Sequence, residues 1–358
     1  PEAFYLEAAN LTGYLLGAAL AWKISRKVPT IRLIRCALLL AVLTFLGCAY
    51  PAPFMIYALF RLLEGFAGGL IMVLTPSTIF NHISASEKSI ASGIIFSGIG
   101  LGIVLIGAFT PVLVSSGLRT TWYFYAVLGI VLLLVFYKGW PKTIQKRPIR
   151  SDDILPPKKV NMTQPLLLTM LVYVCNIIGF APFTVFWVDY ITRDLHLGIQ
   201  AGNTMWLLWG LGASVGPLVS GPIAAKAGIS RSVRVCLILN GLSLMLPVFS
   251  SAYPALVWAS LVTGGTGMIT TALVAARVPE LVEKENQKRV WGWMTILASF
   301  FYALSAYLFS FLFSVTHSYD LIFAIGGVIL IGGGLTDILV SLRRKYTVTW
   351  RHRGCEAM

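Results

Sequence analysis

An arginine and a glutamate stand three residues apart inside a long apolar block of the sequence. Arg61 and Glu64 are the only Lys, Arg, Asp, Glu or His residues in the block 53–80. Side chains three residues apart share one face of a helix, so these two can form an ion pair. If the block crosses a membrane, a central arginine costs about 2.5–3.5 kcal/mol, so it normally faces a partner or a water-filled cavity.

Two interpretations of this pair follow from its chemistry. In the first, Arg61 and Glu64 neutralise each other, or bond backbone carbonyls, and only hold helices together. In the second, Arg61 faces a cavity and Glu64 takes up and releases a proton, which suits a carboxyl group partly withdrawn from water. Glu7, in the block 3–24, is either part of a gate or simply solvated. The proton-coupling interpretation of Arg61 and Glu64 is the prediction carried forward.

A second set of side chains could bind an organic solute. Their amides can line a cavity or bond an adjacent helix, and their indole rings can stack on a ligand or anchor at the membrane interface. The predicted solute-binding residues are Asn10, Tyr14, Tyr173, Asn176, Trp206 and Trp209. Together with one cation–carboxylate pair, these groups suit a small amphipathic organic molecule.

The sequence lacks the residue patterns that are typical of several other kinds of site. The four histidines fall between apolar blocks or in the C-terminal tail, and the five cysteines have no C-x-x-C spacing, so we predict no metal site and no cofactor. No glycine-rich segment leads into Lys-Ser or Lys-Thr, which argues against a nucleotide-driven pump. We find no acidic or histidine cluster at one membrane depth and predict no enzyme activity. The basic residues are not interleaved with aromatic ones, so we predict no nucleic-acid binding.

Membrane-spanning helices are the elements that must position these residues. The sequence is 57% hydrophobic and 12% charged, whereas about a quarter of the residues of a soluble domain are charged. The apolar blocks are long enough to cross about 30 Å of hydrocarbon. The predicted class is therefore an all-α membrane protein with eleven transmembrane helices. These spans cover roughly 3–24, 35–50, 53–80, 90–114, 121–138, 165–188, 202–225, 234–250, 254–276, 290–313 and 319–341.

The placement of basic residues orients these spans. If the spans alternate in direction, every lysine and arginine except Arg61, Arg119 and Arg193 falls on one side, which the positive-inside rule makes cytoplasmic. The C-terminus lies on that side. Residues 139–164 are polar and proline-rich, as expected of a cytoplasmic linker. The predicted organisation is an N-terminal helical bundle at 1–138, this linker, a C-terminal bundle at 165–342 and a cytoplasmic tail at 343–358.

The two bundles align when the chain is shifted by about 200 residues. The block 90–114 then lies over 290–313, and Leu63-Glu64-Gly65 lies over Val262-Thr263-Gly264. Only the span 165–188 has no partner, and its partner would fall before residue 1. We therefore expect two six-helix pseudo-repeats, with the first helix missing from this sequence.

Two stretches resemble a known family. The pattern Arg61-x-x-Glu64-Gly65-x-x-Gly68-Gly69 resembles the fourth-helix motif of the major facilitator superfamily, where the arginine is associated with proton transfer. The stretch Asn10-Leu11-Thr12-Gly13-Tyr14-Leu15-Leu16-Gly17 resembles the YbfB/YjiJ-like bacterial branch of that superfamily. One departure concerns the next loop, where the family usually has an acidic residue four positions after a glycine and this chain has Ala21 after Gly17.

The resemblance implies the major facilitator fold and a function in transport. We predict a monomeric, multi-pass protein of the bacterial inner membrane, with a cytoplasmic C-terminus, that moves a small organic solute by alternating access. Its predicted partners are this solute, protons and the lipid bilayer. The alternative is a membrane scaffold or sensor that keeps the fold without transporting, which the departure at Ala21 favours.

Overall fold

The computed structural model describes residues 2–139 and 159–336, and within them the chain forms eleven α-helices and no strand. The helices are α1 (Glu2–Ser25), α2 (Thr30–Cys48), α3 (Phe54–Phe80), α4 (Lys88–Ser115), α5 (Leu118–Gly139), α6 (Gln164–Asp189), α7 (Gly198–Ala227), α8 (Ile229–Phe249), α9 (Tyr253–Leu281), α10 (Lys284–Thr316) and α11 (Tyr319–Thr336). The predicted tail at 343–358 and most of the predicted linker, residues 140–158, lie outside the described residues.

Prolines and one glycine mark several helix ends. Pro29 and Pro53 directly precede α2 and α3, and Pro165 lies in the first turn of α6. Proline suits these positions because the first-turn amide hydrogens that it lacks have no partner within the helix. Gly228 joins α7 to α8 with a φ of 83°, a left-handed conformation that favours glycine. A single residue therefore reverses the chain direction between these two helices.

Ten of the eleven described helices are long and apolar enough to cross a membrane. The exception is α1, whose sequence includes Glu7, Asn10 and Lys23. It has 24 residues, which at about 1.5 Å per residue is still enough to cross the hydrocarbon. The predicted all-α class and the eleven helices are confirmed. The least apolar of the long helices, α1, is also the helix that contains Asn10 and Tyr14, two of the predicted site residues.

The described helices pack into two compact units. Unit 1 contains residues 2–84, 105–139, 159–161 and 278–300, and unit 2 contains residues 85–104, 162–277 and 301–336. Both α4 and α10 therefore contribute residues to each unit. The core of unit 2 is rich in aromatic side chains, of which Phe183, Trp187 and Phe323 are fully buried. The two bundles predicted from the sequence, at 1–138 and 165–342, are defined by the internal repeat and not by packing. That division stays a prediction.

Within unit 1, α1 and α3 approach each other so closely that only glycine fits at their contact. A Cβ atom on Gly13 would lie 1.9 Å from the carbonyl oxygen of Leu62, and one on Gly65 would lie 1.9 Å from that of Asn10. The next turn of each helix repeats the pattern, with the pairs Gly17–Phe66 and Gly69–Tyr14. Glycines four residues apart on facing helices allow this close backbone approach in membranes. The register between α1 and α3 is thereby fixed.

Unit 2 contains the same packing at positions 199 residues later. A Cβ atom on Gly212 of α7 would lie 2.1 Å from the carbonyl oxygen of Leu261 of α9, as on Gly13 against Leu62. One on Gly264 would lie 2.1 Å from the carbonyl oxygen of Trp209, and one on Gly216 would lie 2.6 Å from Gly265. Each of these residues is the counterpart of one at the α1–α3 contact. The predicted internal repeat is therefore confirmed in the packing as well as in the sequence.

Candidate functional site

Arg61 lies between two carboxylate groups, one on its own helix and one on α1. Its Nη1 donates to Oε2 of Glu64, and its Nη2 lies 3.4 Å from Oε2 of Glu7. The side chains of Arg61 and Glu64 are 22% and 21% exposed, whereas that of Glu7 is 76% exposed. The predicted pair is thus present as one part of a three-residue cluster. We call Glu7, Arg61 and Glu64 the charged cluster.

The glycine contacts between α1 and α3 place this cluster. Gly65 packs against the backbone of Asn10. Arg61 is one helical turn before Gly65 in α3, so it lies opposite the first turns of α1. The Nδ2 atom of Asn10 donates to the backbone carbonyl oxygen of Arg61 at 3.1 Å. Of the two roles left open for Asn10, the structure therefore shows a bond to an adjacent helix. This bond also fixes the backbone from which the guanidinium projects.

Tyr14 lies on the same side of α1, one turn after Asn10. Its ring covers Gly68, where an added Cβ atom would lie 3.6 Å from Cδ2 of the ring, an ordinary contact distance. Its side chain is partly buried. Asn10 therefore bonds the backbone of the charged cluster, whereas Tyr14 packs against α3 at Gly68. Their role in binding a solute stays a prediction.

The charged cluster has one more negative charge than positive. A single guanidinium faces two carboxylates, and uptake of one proton by either carboxylate would make the group neutral. Glu64 is the less exposed of the two and forms the shorter contact with Arg61. A carboxylate with one guanidinium partner and limited access to water is a group whose proton affinity responds to what lies next to it. This arrangement can exchange a proton without leaving a large uncompensated charge in the membrane.

Two other predicted residues, Tyr173 and Asn176, are buried in unit 2. Their residues are 3% and 0% exposed. The Nδ2 atom of Asn176 donates to the carbonyl oxygen of Gly267 on α9 at 3.4 Å. This bond joins α6 to α9 inside the unit. A contact of either side chain with a solute stays a prediction.

Trp206 and Trp209 stack on each other in the N-terminal half of α7. Their ring centroids are 4.8 Å apart and their planes differ by 19°. Trp209 is 3% exposed, whereas Trp206 is only partly buried. The predicted pair of indoles is therefore a stacked pair of which one member is accessible.

The repeat gives the charged cluster a counterpart in unit 2. At a distance of 199 residues, the counterparts of Glu7, Asn10, Arg61 and Glu64 are Trp206, Trp209, Ser260 and Thr263. Ser260 is fully buried, and its hydroxyl accepts a hydrogen bond of 3.0 Å from Nε1 of Trp187. Where the first repeat has charge, the second therefore has indole rings and hydroxyl groups.

The sequence left Glu7 as either part of a gate or simply solvated, and did not place it with Arg61 and Glu64. The sequence feature that could have linked Glu7 to this site is its position three residues before Asn10, on the same face of α1. This helix is more polar than the other ten. Among the described residues, no three His, Cys, Asp or Glu side chains are grouped closely enough to hold a metal ion.

The chain is similar to known transporters in sequence and in fold. The family model for the uncharacterised MFS-type transporter YbfB matches residues 1–338. An uncharacterised MFS-type transporter of Bacillus subtilis, YceJ, is 22% identical over 255 residues, which cover 70% of this chain and 64% of that protein. The chain therefore spans less than two thirds of the length of this curated relative.

Two solved structures have the same fold. The human organic anion transporter MFSD10 (TETRAN) matches with a TM-score of 0.78 and 16% identity, over 93% of this chain and 82% of that one. The E. coli fucose:proton symporter FucP matches with a TM-score of 0.74 and 9% identity, over 94% of this chain and 90% of that one. At these identities the likeness concerns the fold alone.

Proposed function

Because the chain belongs to the YbfB family of MFS-type transporters, we propose that it is a secondary active transporter coupled to protons. It moves a small organic solute across the bacterial inner membrane by alternating access, in which the binding site opens to one side at a time. The observation that carries the proton coupling is the charged cluster, in which Arg61 is shared between Glu64 and Glu7. FucP, one of the proteins with the same fold, is by its name a proton symporter.

Glu64 is the proton-accepting group in this proposal. Its contact with Arg61 stabilises the carboxylate, and its limited exposure stabilises the neutral acid, so the balance between the two forms is sensitive to small changes nearby. When Glu64 is protonated, Arg61 keeps Glu7 as a partner at 3.4 Å. A movement of α1 relative to α3, or a bound solute, would then change the affinity of Glu64 for its proton. Such linkage between a proton and a conformation is what coupling requires.

The solute-binding groups in this proposal come from both repeats. They are Asn10, Tyr14, Tyr173, Asn176, Trp206 and Trp209. Amides and indoles without a formal charge suit a small organic molecule with apolar and polar parts. The protein acts as a monomer with its C-terminus in the cytoplasm.

The test compares two glutamate substitutions in the purified protein. A thermal-shift screen of metabolites first identifies a stabilising solute, because a bound ligand raises stability whatever the direction of transport. In proteoliposomes, Glu64→Gln should abolish uptake of that solute driven by a pH gradient and keep its exchange across the membrane. Glu285→Gln, which changes an exposed glutamate in the first turn of α10, should behave as the wild type.

Coupled uptake by Glu64→Gln at the wild-type rate would contradict the role of this residue. The same holds for a wild-type uptake rate that is constant between about pH 5 and 8, the range in which a coupling carboxyl group would titrate. A screen in which no solute stabilises the protein would favour the scaffold or sensor instead.

A further inference from the structure

Five aromatic rings form a continuous stack inside unit 2. Trp206 stacks on Trp209 at 4.8 Å, Trp209 on Phe183 at 6.4 Å, Phe183 on Trp187 at 4.4 Å, and Trp187 on Tyr190 at 5.9 Å between ring centroids. Successive planes differ by 19°, 25°, 23° and 28°, so the rings are nearly parallel throughout. The first two rings belong to α7 and the others to α6 and the turn that follows it.

The stack is buried everywhere except at one end. Trp209, Phe183, Trp187 and Tyr190 are at most 3% exposed, whereas Trp206 is only partly buried. A planar ring that lies on the accessible face of Trp206 would continue the stack at the same spacing and tilt. Offset stacking of this kind is favourable for aromatic rings and has no equivalent for a saturated ring of the same size.

The partly buried ring of Trp206 lies on a different side of α7 from the most exposed apolar residues of this helix. The exposed stripe of this helix contains Leu211, Val215 and Leu218, which are 44%, 57% and 48% exposed. Trp206 is five residues before Leu211 and so lies about 140° away around the helix. It shares a stripe with Gly210, where an added Cβ atom would lie 3.0 Å from side-chain atoms of Ile103 and Val104 on α4. Trp206 thus lies on the α4-facing side of α7.

Polar atoms without a protein partner lie next to this end of the stack. Within the described residues, Nε1 of Trp209 and Oγ1 of Thr263 form no hydrogen bond, although these residues are 3% and 1% exposed. The backbone of Trp209 packs against Gly264, the neighbour of Thr263. Buried polar groups are normally satisfied, so the open donor and hydroxyl mark a polar spot beside the stack.

We propose that Trp206 is the floor of a subsite for a planar aromatic ring of the solute. The subsite rests on the proposed function, because it names the class of solute that the transporter takes. Its position supports this, since Trp206 and Trp209 are the counterparts of Glu7 and Asn10 beside the charged cluster. The repeat places an aromatic platform in unit 2 where unit 1 has its charged groups.

The test compares two acids that differ only in the ring. Benzoate is planar, whereas cyclohexanecarboxylate has the same charge and nearly the same size without a π-system. We expect the purified wild-type protein to bind benzoate roughly 2- to 12-fold more tightly in a thermal-shift titration, the ratio that one aromatic pair supplies. Trp206→Phe should keep this preference and Trp206→Leu should lose it. Trp258→Leu, at an indole of α9 that is 54% exposed, should leave it unchanged.

Equal binding of both acids by the wild type would overturn the proposal even if Trp206→Leu did not fold. A preference that survives in a folded Trp206→Leu protein would overturn it as well. The titration needs no proton gradient, so it reports on the subsite independently of proton coupling. Equal binding of both acids, with coupled uptake abolished in Glu64→Gln, therefore rejects this subsite alone. Coupled uptake retained by Glu64→Gln, with an intact ring preference in the wild type, rejects only the role of Glu64.

Discussion

Arg61 has two acidic partners, and this makes the members of the charged cluster unequal. If Arg61 is replaced, Glu7 and Glu64 both lose their partner, and Glu64 is left 21% exposed with an uncompensated charge. If Glu64 is replaced by glutamine, Arg61 keeps Glu7 at 3.4 Å. Removing one member of a partly buried pair costs more when a charge remains behind than when it is compensated.

We therefore predict that Arg61→Met lowers stability more than Glu64→Gln does. The expected difference is about 1–3 kcal/mol at pH 8, the cost of leaving a charged group without its partner. It should be smaller at pH 5 than at pH 8, because a larger fraction of the Glu64 carboxyl group is protonated at the lower pH. Thermal unfolding in detergent at both pH values measures it, and the double variant Arg61→Met/Glu64→Gln should recover much of the loss. An equal loss for both single variants would contradict the shared guanidinium.

The sequence was sufficient to select Arg61 and Glu64 because both are charged residues in a block that is otherwise without charge. It was not sufficient for Glu7, because the contact of Glu7 with Arg61 joins residues 54 positions apart and depends on the register of two helices. The same limit applies to Asn10, whose two possible roles differ only in what faces the amide. Composition and spacing identify a charge that needs a partner, whereas only packing identifies the partner.

The register of α1 and α3 is an element-scale property and depends on glycines at both helices. A Cβ atom on Gly13 would meet a backbone oxygen at 1.9 Å, which no side-chain rotation can relieve. We predict that Gly13→Ala destabilises the protein by about 1–3 kcal/mol, the usual cost of overpacking. Because the helices must separate, it should also reduce proton coupling through the charged cluster.

The matched control for this substitution is in α4. Gly98 and Gly102 have no atom within 4 Å of an added Cβ, so alanine fits at either position. Alanine is the better helix former by about 0.5–1 kcal/mol, so Gly98→Ala should be neutral or slightly stabilising. The unfolding temperatures of Gly13→Ala and Gly98→Ala measure this difference in stability. A Gly13→Ala protein as stable as Gly98→Ala would mean that α1 and α3 are not held in contact by these glycines.

Helix positions followed from the sequence more closely than helix ends did. The predicted span 35–50 is part of α2, which begins at Thr30, and the span 290–313 is part of α10, which begins at Lys284. In both cases the prediction began after basic residues that the helix in fact includes. Long basic side chains reach the membrane surface from within a helix, so hydropathy marks the hydrocarbon layer and not the end of hydrogen bonding.

At the scale of the whole molecule, the repeat relates the charged cluster to its counterpart in unit 2. The contacts Gly13–Leu62 and Gly212–Leu261 show that the same backbone geometry is used twice. The side chains placed by that geometry have diverged, with a guanidinium and carboxylates in one copy and indoles and hydroxyls in the other. The sequence predicted the repeat from the alignment of its apolar blocks, and it placed Leu63-Glu64-Gly65 over Val262-Thr263-Gly264. A shift of about 200 residues left the register of the other blocks uncertain by one.

The distribution of basic residues predicts the orientation of the whole molecule in the membrane, and this prediction is testable without a substrate. Ser251 lies in the exposed turn between α8 and α9, on the predicted outer side, and Glu285 is exposed at the start of α10, on the predicted cytoplasmic side. In a chain whose five native cysteines are replaced by alanine, a maleimide that cannot cross membranes should label Ser251→Cys in spheroplasts and Glu285→Cys only in inverted vesicles. The reason for this expectation is that moving lysine and arginine across the membrane during insertion is unfavourable, so the side poor in these residues should be the outer one. The reverse labelling pattern would invert the topology and place the charged cluster nearer the cytoplasmic end of α3.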